Sequence, residues 1–113
     1  MVEKSKRNVI IANKIVNEVD VIQTFIVGMT FDDYIMNEIT KRAVAMTLIH
    51  IGELSNSFTE DFKENNKVIP WRKIKALRNI TAHNYESLDL RTVWTTINED
   101  LLILKQNLQA SMY

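Results

Sequence analysis

The chain has no cysteine, one proline and two glycines among its 113 residues. Without cysteine, disulfides and thiolate metal sites are excluded. With so little glycine and proline, turn-rich folds and sheets are disfavoured, and long helices joined by few connections are favoured. Charge of one sign is also missing, since 14 basic residues are balanced by 14 acidic ones. No global nucleic-acid footprint therefore exists. The N-terminal Met1-Val2-Glu3-Lys4-Ser5-Lys6-Arg7 leads directly into amphipathic sequence, with no uniformly apolar run behind it. Neither a secretory signal nor a membrane span is expected, and the reading is a cytoplasmic protein without membrane contact.

What is present is helical periodicity. Ile11, Ile15, Val19, Ile22, Ile26 and Met29 recur at spacings of three and four, the stripe of one long helix that Gly28 should end. Thr30 followed by Asp32 and Asp33 reads as the start of a second helix, with a capping hydroxyl and acids in its first turn. Its stripe would run Ile35, Ile39, Ala43, Met46, Ile49 or His50, and Leu54, fading near Ser55-Asn56-Ser57. Residues 58–67 read as a short helix or a loop. Pro70 fits the first turn of a third helix, with Trp71, Ile74, Leu77 and Ile80 or Thr81 inward, ending near His83. Ser87 or Asp89 can cap a final helix carrying Leu90, Val93, Trp94, Ile97, Leu101, Leu104, Leu108 and Met112. Four substantial helices predict an all-α fold, an antiparallel four-helix-type bundle, with residues 1–113 as a single domain. The helices are apolar on more than one face, which predicts a homodimer.

Two histidines occur, His50 and His83. His50 lies among isoleucines and reads as structural. His83 stands amid Arg78, Asn79, Asn84 and Tyr85, at the expected end of a helix, where sites are common. Histidine transfers protons near neutral pH, and an arginine guanidinium grips phosphate through paired hydrogen bonds. On a helix Asn79 and His83 share a face, whereas Arg78 and His83 are turned about 140° apart. One chain would not easily close both around one group, but two chains meeting here can. An extended backbone after the helix would put Tyr85 on the side of His83. Such a cleft suits metal-free phosphoryl transfer, and no cluster of acids and histidines predicts a metal or other cofactor. The bland alternative is an arginine paired with an acid and a histidine capping a helix. Just upstream, Lys63, Lys67, Arg72, Lys73, Lys75 and Arg78 face the single acid Glu64. These are either a solvated helix face or a phosphate-binding patch, with Lys67, Arg72, Lys73 and Lys75 the candidate RNA contacts.

Arg78-Asn79, His83 and Tyr85 together match an Arg-x4-His-x-Tyr motif, and the chain resembles HepT-like proteins of the HEPN superfamily. Ile51-Gly52-Glu53, Ile69-Pro70-Trp71, and Asp89 with Val93-Trp94 fit the same family. The resemblance implies a HEPN-like bundle, a homodimer with a composite cleft, and a toxin of a toxin–antitoxin pair. It further implies a metal-independent endoribonuclease acting on tRNA or mRNA, with Arg78 and His83 as the catalytic pair and Asn79 as their polar support. The implied antitoxin is a nucleotidyltransferase of the MNT type that transfers AMP to Tyr85. Glu53 is read as a structural partner for a basic residue, and Trp71 and Trp94 as core. The alternative within this resemblance is a non-catalytic module that presents Tyr85, or a nucleotide-sized cleft, to such a transferase.

Overall fold

Helix α1 spans Val2–Ile26 in a computed structural model, which describes residues 2–81 and 83–112 and their side chains from Lys6. Ala82, inside the candidate segment, lies outside the described residues. The α1 stripe behaves as its spacing predicts: Ile11, Ile15, Val19, Ile22 and Ile26 are all buried. Gly28 then adopts φ of 75°, a left-handed turn that is cheap only without a Cβ. Thr30 caps α2 (Phe31–Met36) through a reciprocal pair of bonds. Its hydroxyl accepts from the Asp33 amide at 3.1 Å, and the Asp33 carboxylate accepts from the Thr30 amide at 3.0 Å.

The second helix does not run through as its stripe suggests. Asn37, at φ −103° and ψ 95°, closes α2 and opens α3 (Glu38–Ser55), accepting the Thr40 amide on its side-chain oxygen at 2.9 Å. The face of α3 is also the reverse of the expectation. Val44, Leu48 and Ile51 are buried, while Ile39 and Met46 are 82% and 71% exposed. Both faces of α3 are apolar, so periodicity alone cannot choose between them. Contact with α1 and with the turn after α5 decides which one is covered. His50 sits on the open side, with its Nδ1 3.3 Å from a Glu18 carboxylate oxygen.

Thr59 caps the short α4 (Glu60–Glu64), and Phe58 stacks on Phe62 with centroids 4.4 Å apart. Trp71 meets Phe58 edge-on, and its indole N–H donates to the Asn66 carbonyl at 3.0 Å. Pro70 stands immediately before α5 (Trp71–Ala76), where its missing N–H costs nothing. This helix is shorter than expected. After Ala76 the chain tightens into a 3-10 turn, Leu77–Asn79, and Ile80 is already extended at φ −70° and ψ 132°. Leu77 and Ile80 are buried and Thr81 is exposed.

After a second 3-10 turn, Tyr85–Ser87, Asp89 caps α6 (Leu90–Thr95), accepting the Arg91 and Thr92 amides. A widened π turn, Thr96–Asp100, connects α6 directly to α7 (Leu101–Ser111). Inside that turn the Ile97 carbonyl accepts the Gln23 side-chain amide of α1 at 2.9 Å. Val93, Ile97, Leu101, Leu104 and Leu108 form the inner stripe. Trp94 packs on Tyr34, with centroids 5.2 Å apart. The core thus lies among α1, α3 and the α6–α7 helix, each fully buried Ile or Leu contributing about 1.5–3 kcal/mol. Among the described residues the fold is all-α, and no helix is long and apolar enough to cross a membrane.

Candidate functional site

The motif residues lie on the connection between α5 and α6. Arg78 and Asn79 occupy the 3-10 turn, and both are exposed. His83 is exposed on a turn further on, and Tyr85 opens the second 3-10 segment, half-buried. Because the helix ends at Ala76, Asn79 and His83 do not share a helical face. Tyr85 follows a turn, not an extended run, so the expected alignment of His83 with Tyr85 does not arise that way.

This connection is held by polar bonds, and Asn84 is its centre. Its side-chain oxygen accepts the Thr81 amide at 2.7 Å, and its own amide donates to the Thr81 hydroxyl at 3.2 Å. The Asn84 side-chain NH2 donates to the Asn79 carbonyl at 2.9 Å, tying the arginine turn to the histidine turn. Short Asn and Thr side chains that bond nearby backbone compete well with helix, so the helical pattern stops here.

Arg78 and Asn79 line an open groove of about 540 Å3 with Arg72 and Lys75 of α5 and Glu53 of α3. Arg72, Lys75 and Arg78 are three apart, so they follow one side of the chain as α5 passes into its turn. Among the described residues none of these three cations has a carboxylate oxygen within 4.0 Å. Glu53 therefore shares the groove with Arg78 but makes no ion pair with it. The other basic candidates go elsewhere. The Lys73 ammonium lies 3.9 Å from Asp100, and Lys67 lies 3.3 Å from Glu64. His83 is not among the groove's lining residues. Among the described residues no three His, Asp or Glu side chains converge as metal ligands.

Tyr85 belongs to a second cluster, with α3. Its hydroxyl donates to a Glu38 carboxylate oxygen, and the Arg42 guanidinium lies 4.8 Å from its ring centroid. Glu38 also binds Arg42 and Lys41, each at 3.2 Å. The Tyr85 bond, and next Lys41, hold the Glu38 carboxyl below the usual carboxylate range. That same bond to Glu38 is the main cause raising the Tyr85 hydroxyl. Beside Tyr85 is a cavity of about 280 Å3, bounded by Tyr34, Glu38, Lys41 and Val93. A smaller, mostly apolar hollow of about 160 Å3 also borders Tyr85, lined by Met46, Ile49 and Ile80 with Arg42. Tyr34 is buried, and burial raises its hydroxyl to about 12. Sequence reasoning placed Asn84 beside His83 without seeing that it ties the connection together, and it missed Glu38 and Arg42, whose contacts with Tyr85 only the fold creates.

The family model described as Ribonuclease HepT-like matches residues 15–111, covering the arginine turn, the histidine turn and both helices that flank them. The chain belongs to the HepT-like family. Among curated relatives, the "Probable ribonuclease HepT" of Thermococcus cleftensis is 34% identical over 91 residues, 80% of this chain and 83% of that protein. A protein of Methanocaldococcus jannaschii, provisionally named an RNase, is 32% identical over 90 residues, 80% of this chain and 82% of its own. Another provisionally named RNase, from Caldanaerobacter subterraneus, is 27% identical over 82 residues, 73% of each chain. No solved structure matches the chain. The HepT-like assignment agrees with the resemblance carried by Arg78, His83 and Tyr85.

Proposed function

We propose that this protein is a metal-independent endoribonuclease, the toxin of a toxin–antitoxin pair, working as a homodimer across residues 1–113. The single observation that carries this reading is the HepT-like match over residues 15–111, within which Arg78 and His83 both stand exposed on one connection. Arg78 holds the scissile phosphate and stabilises its growing charge, with Asn79 beside it. His83 takes the proton of the RNA 2′-hydroxyl. That oxygen attacks phosphorus, the bond to the 5′-oxygen breaks, and the leaving oxygen is protonated by the His83 of the second chain. The products are a 2′,3′-cyclic phosphate and a free 5′-hydroxyl.

Because His83 stands outside the groove that holds Arg78, a second chain is the simplest way to complete the cleft. The open α3 face, with Ile39 and Met46, supplies an apolar surface for that partner beside Tyr85 and Ile80. Arg72 and Lys75 extend the groove as RNA-phosphate contacts, while Lys67 and Lys73, engaged with acids, contribute less. tRNA and mRNA are the substrates to test.

The antitoxin in this reading is an MNT-type nucleotidyltransferase that transfers AMP to Tyr85. The phosphate it adds would replace the proton now given to Glu38 and set negative charge beside the site, competing with RNA. A second reading keeps Tyr85 as the functional group without catalysis, and the cavity of about 280 Å3 beside its ring, which leaves room for a ligand there, favours it. Intact mass after co-expression with the transferase would then show a Tyr85-dependent adduct on a chain that cuts no RNA.

The test is cleavage of total tRNA and mRNA in EDTA by the wild type, His83→Ala and Arg78→Ala. Cleavage that survives EDTA and falls at least about a hundredfold in each folded variant supports the ribonuclease. Cleavage that persists in both variants would overturn the assigned residues. No cleavage by the wild type favours the second reading.

A further inference from the structure

Gly52 is buried within α3, in ordinary helical conformation, where glycine is less stable than alanine. No turn needs its conformational freedom. The reason for it lies across the helix interface. A Cβ at this position would come within 2.8 Å of the Arg78 backbone nitrogen, 2.9 Å of Arg78 Cγ and 3.2 Å of the Leu77 carbonyl carbon. Ordinary contact begins at 3.4 Å. Two of the three atoms are backbone, so no side-chain rotation relieves the overlap.

The arginine turn is also pinned from both sides. Leu77 and Ile80 are buried in the core, and the Asn84 side chain holds the Asn79 carbonyl. Thus the turn rests on α3 at a depth that only a missing Cβ permits. The next residue along α3, Glu53, lines the same groove as Arg78. The missing Cβ at Gly52 therefore lets the Arg78 backbone seat this close to α3.

We infer that Gly52 is a positioning residue for Arg78, setting how deeply the arginine turn seats on α3 and so where the guanidinium meets phosphate. The inference rests on the ribonuclease reading in taking Arg78 as the phosphate-binding group. A displacement of about half an ångström is enough to misalign a catalytic group while leaving the fold in place.

The test compares wild type, Gly52→Ala and the core variant Val19→Ala, which loses buried packing in α1. Cleavage of a fluorogenic RNA gives kcat and KM, each measured well below the variant's own melting temperature. Two-dimensional NMR reports the backbone amides. The expected result for Gly52→Ala is a folded chain whose kcat falls roughly 10- to 100-fold while KM stays within about threefold. Its amide shifts should centre on Leu77, Arg78 and Asn79. Val19→Ala should melt earlier yet keep its kcat. Wild-type kcat in Gly52→Ala would overturn the inference. So would an equal loss in Val19→Ala, or outright unfolding of Gly52→Ala, since the glycine would then serve the fold and not the arginine. If the wild type cuts no RNA, the ribonuclease reading fails, and the amide shifts alone decide whether Gly52 seats the turn: unmoved amides at 77–79 overturn it.

Discussion

The helical core and the connection from Leu77 to Ser87 are held together by different means. In the core, Ile15, Val19, Ile22, Leu101, Leu104 and Leu108 are wholly removed from solvent, and apolar burial provides the stability. In the connection Arg78, Asn79, Thr81 and His83 are exposed, and the path is set by polar bonds through Asn84 and by the tie from Tyr85 to Glu38. A charged or proton-carrying side chain can stand there without the desolvation cost it would meet in the core. Stability and chemistry should therefore separate by mutation.

The sharpest break in that comparison is expected from the core. Leu104→Ala removes a fully buried side chain from α7 and should cost about 2–5 kcal/mol, a large share of a total of roughly 5–15 kcal/mol. Thermal melting should move down by about 10 °C or more. Arg78→Ala in the same experiment should move it by less than about 2 °C, since the side chain is exposed. Similar shifts in both variants would erase the division.

This division also explains what could be read from the residues alone. The α1 stripe and the Val93-to-Leu108 stripe each have one apolar face, so spacing places them correctly. In α3, Ile39 and Met46 on one side compete with Val44, Leu48 and Ile51 on the other, and the covered face is chosen only by the partner elements. The break at Asn37 is hidden because apolar residues continue through it at helical spacing. At the candidate site Arg78, His83 and Tyr85, the residues proposed to carry the chemistry, are visible in the sequence as a motif. What their supports touch is not: Gly52 is visible within Ile51-Gly52-Glu53 but its contact with the arginine turn is not, and Glu38 and Arg42 are likewise distant in sequence from Tyr85. The end of α5 is hidden for a related reason: Arg78 and Asn79 are tolerable in a helix, and it is the Thr81–Asn84 bonding downstream that draws the backbone away.

The exposed face of α3 provides a subtler test, between a surface that is core-like in composition and one that is core in fact. Met46→Glu should leave the chain folded, because the side chain is 71% exposed; if the proposed homodimer forms through this face, the variant should be monomeric in light scattering. With the proposed composite cleft lost, cleavage should drop at least about tenfold, and any dependence of melting on protein concentration should disappear. Leu48→Glu, on the buried face of the same helix, should instead unfold the chain. A Met46→Glu protein that remains dimeric would move the partner surface away from α3.

The smallest expected effect concerns the tie that joins the two regions, from Tyr85 on the connection to Glu38 on α3. Glu38 titrates below its ordinary value of 4.5, chiefly through the Tyr85 bond, so its contribution is present above that value and is lost as pH falls through the lower, folded value. Tyr85 titrates above its ordinary 10.0 because of Glu38, so its contribution is present below 10.0 and is lost as pH rises through the higher, folded value. The tie should therefore persist across the whole neutral range and loosen only at the two extremes. Tyrosine ring 13C shifts can follow this directly. In the wild type the Tyr85 signal should respond to an acid transition below 4.5 and ionise above 10.0; Tyr34, raised to about 12 by burial, supplies a separate alkaline titration. In Glu38→Gln the acid response should vanish and the Tyr85 ionisation should move back toward 10.0, with only a small change in melting at neutral pH. An unchanged Tyr85 titration in Glu38→Gln would mean that the connection is held without this bond, leaving Asn84 and the depth allowed by Gly52 as what fixes the site.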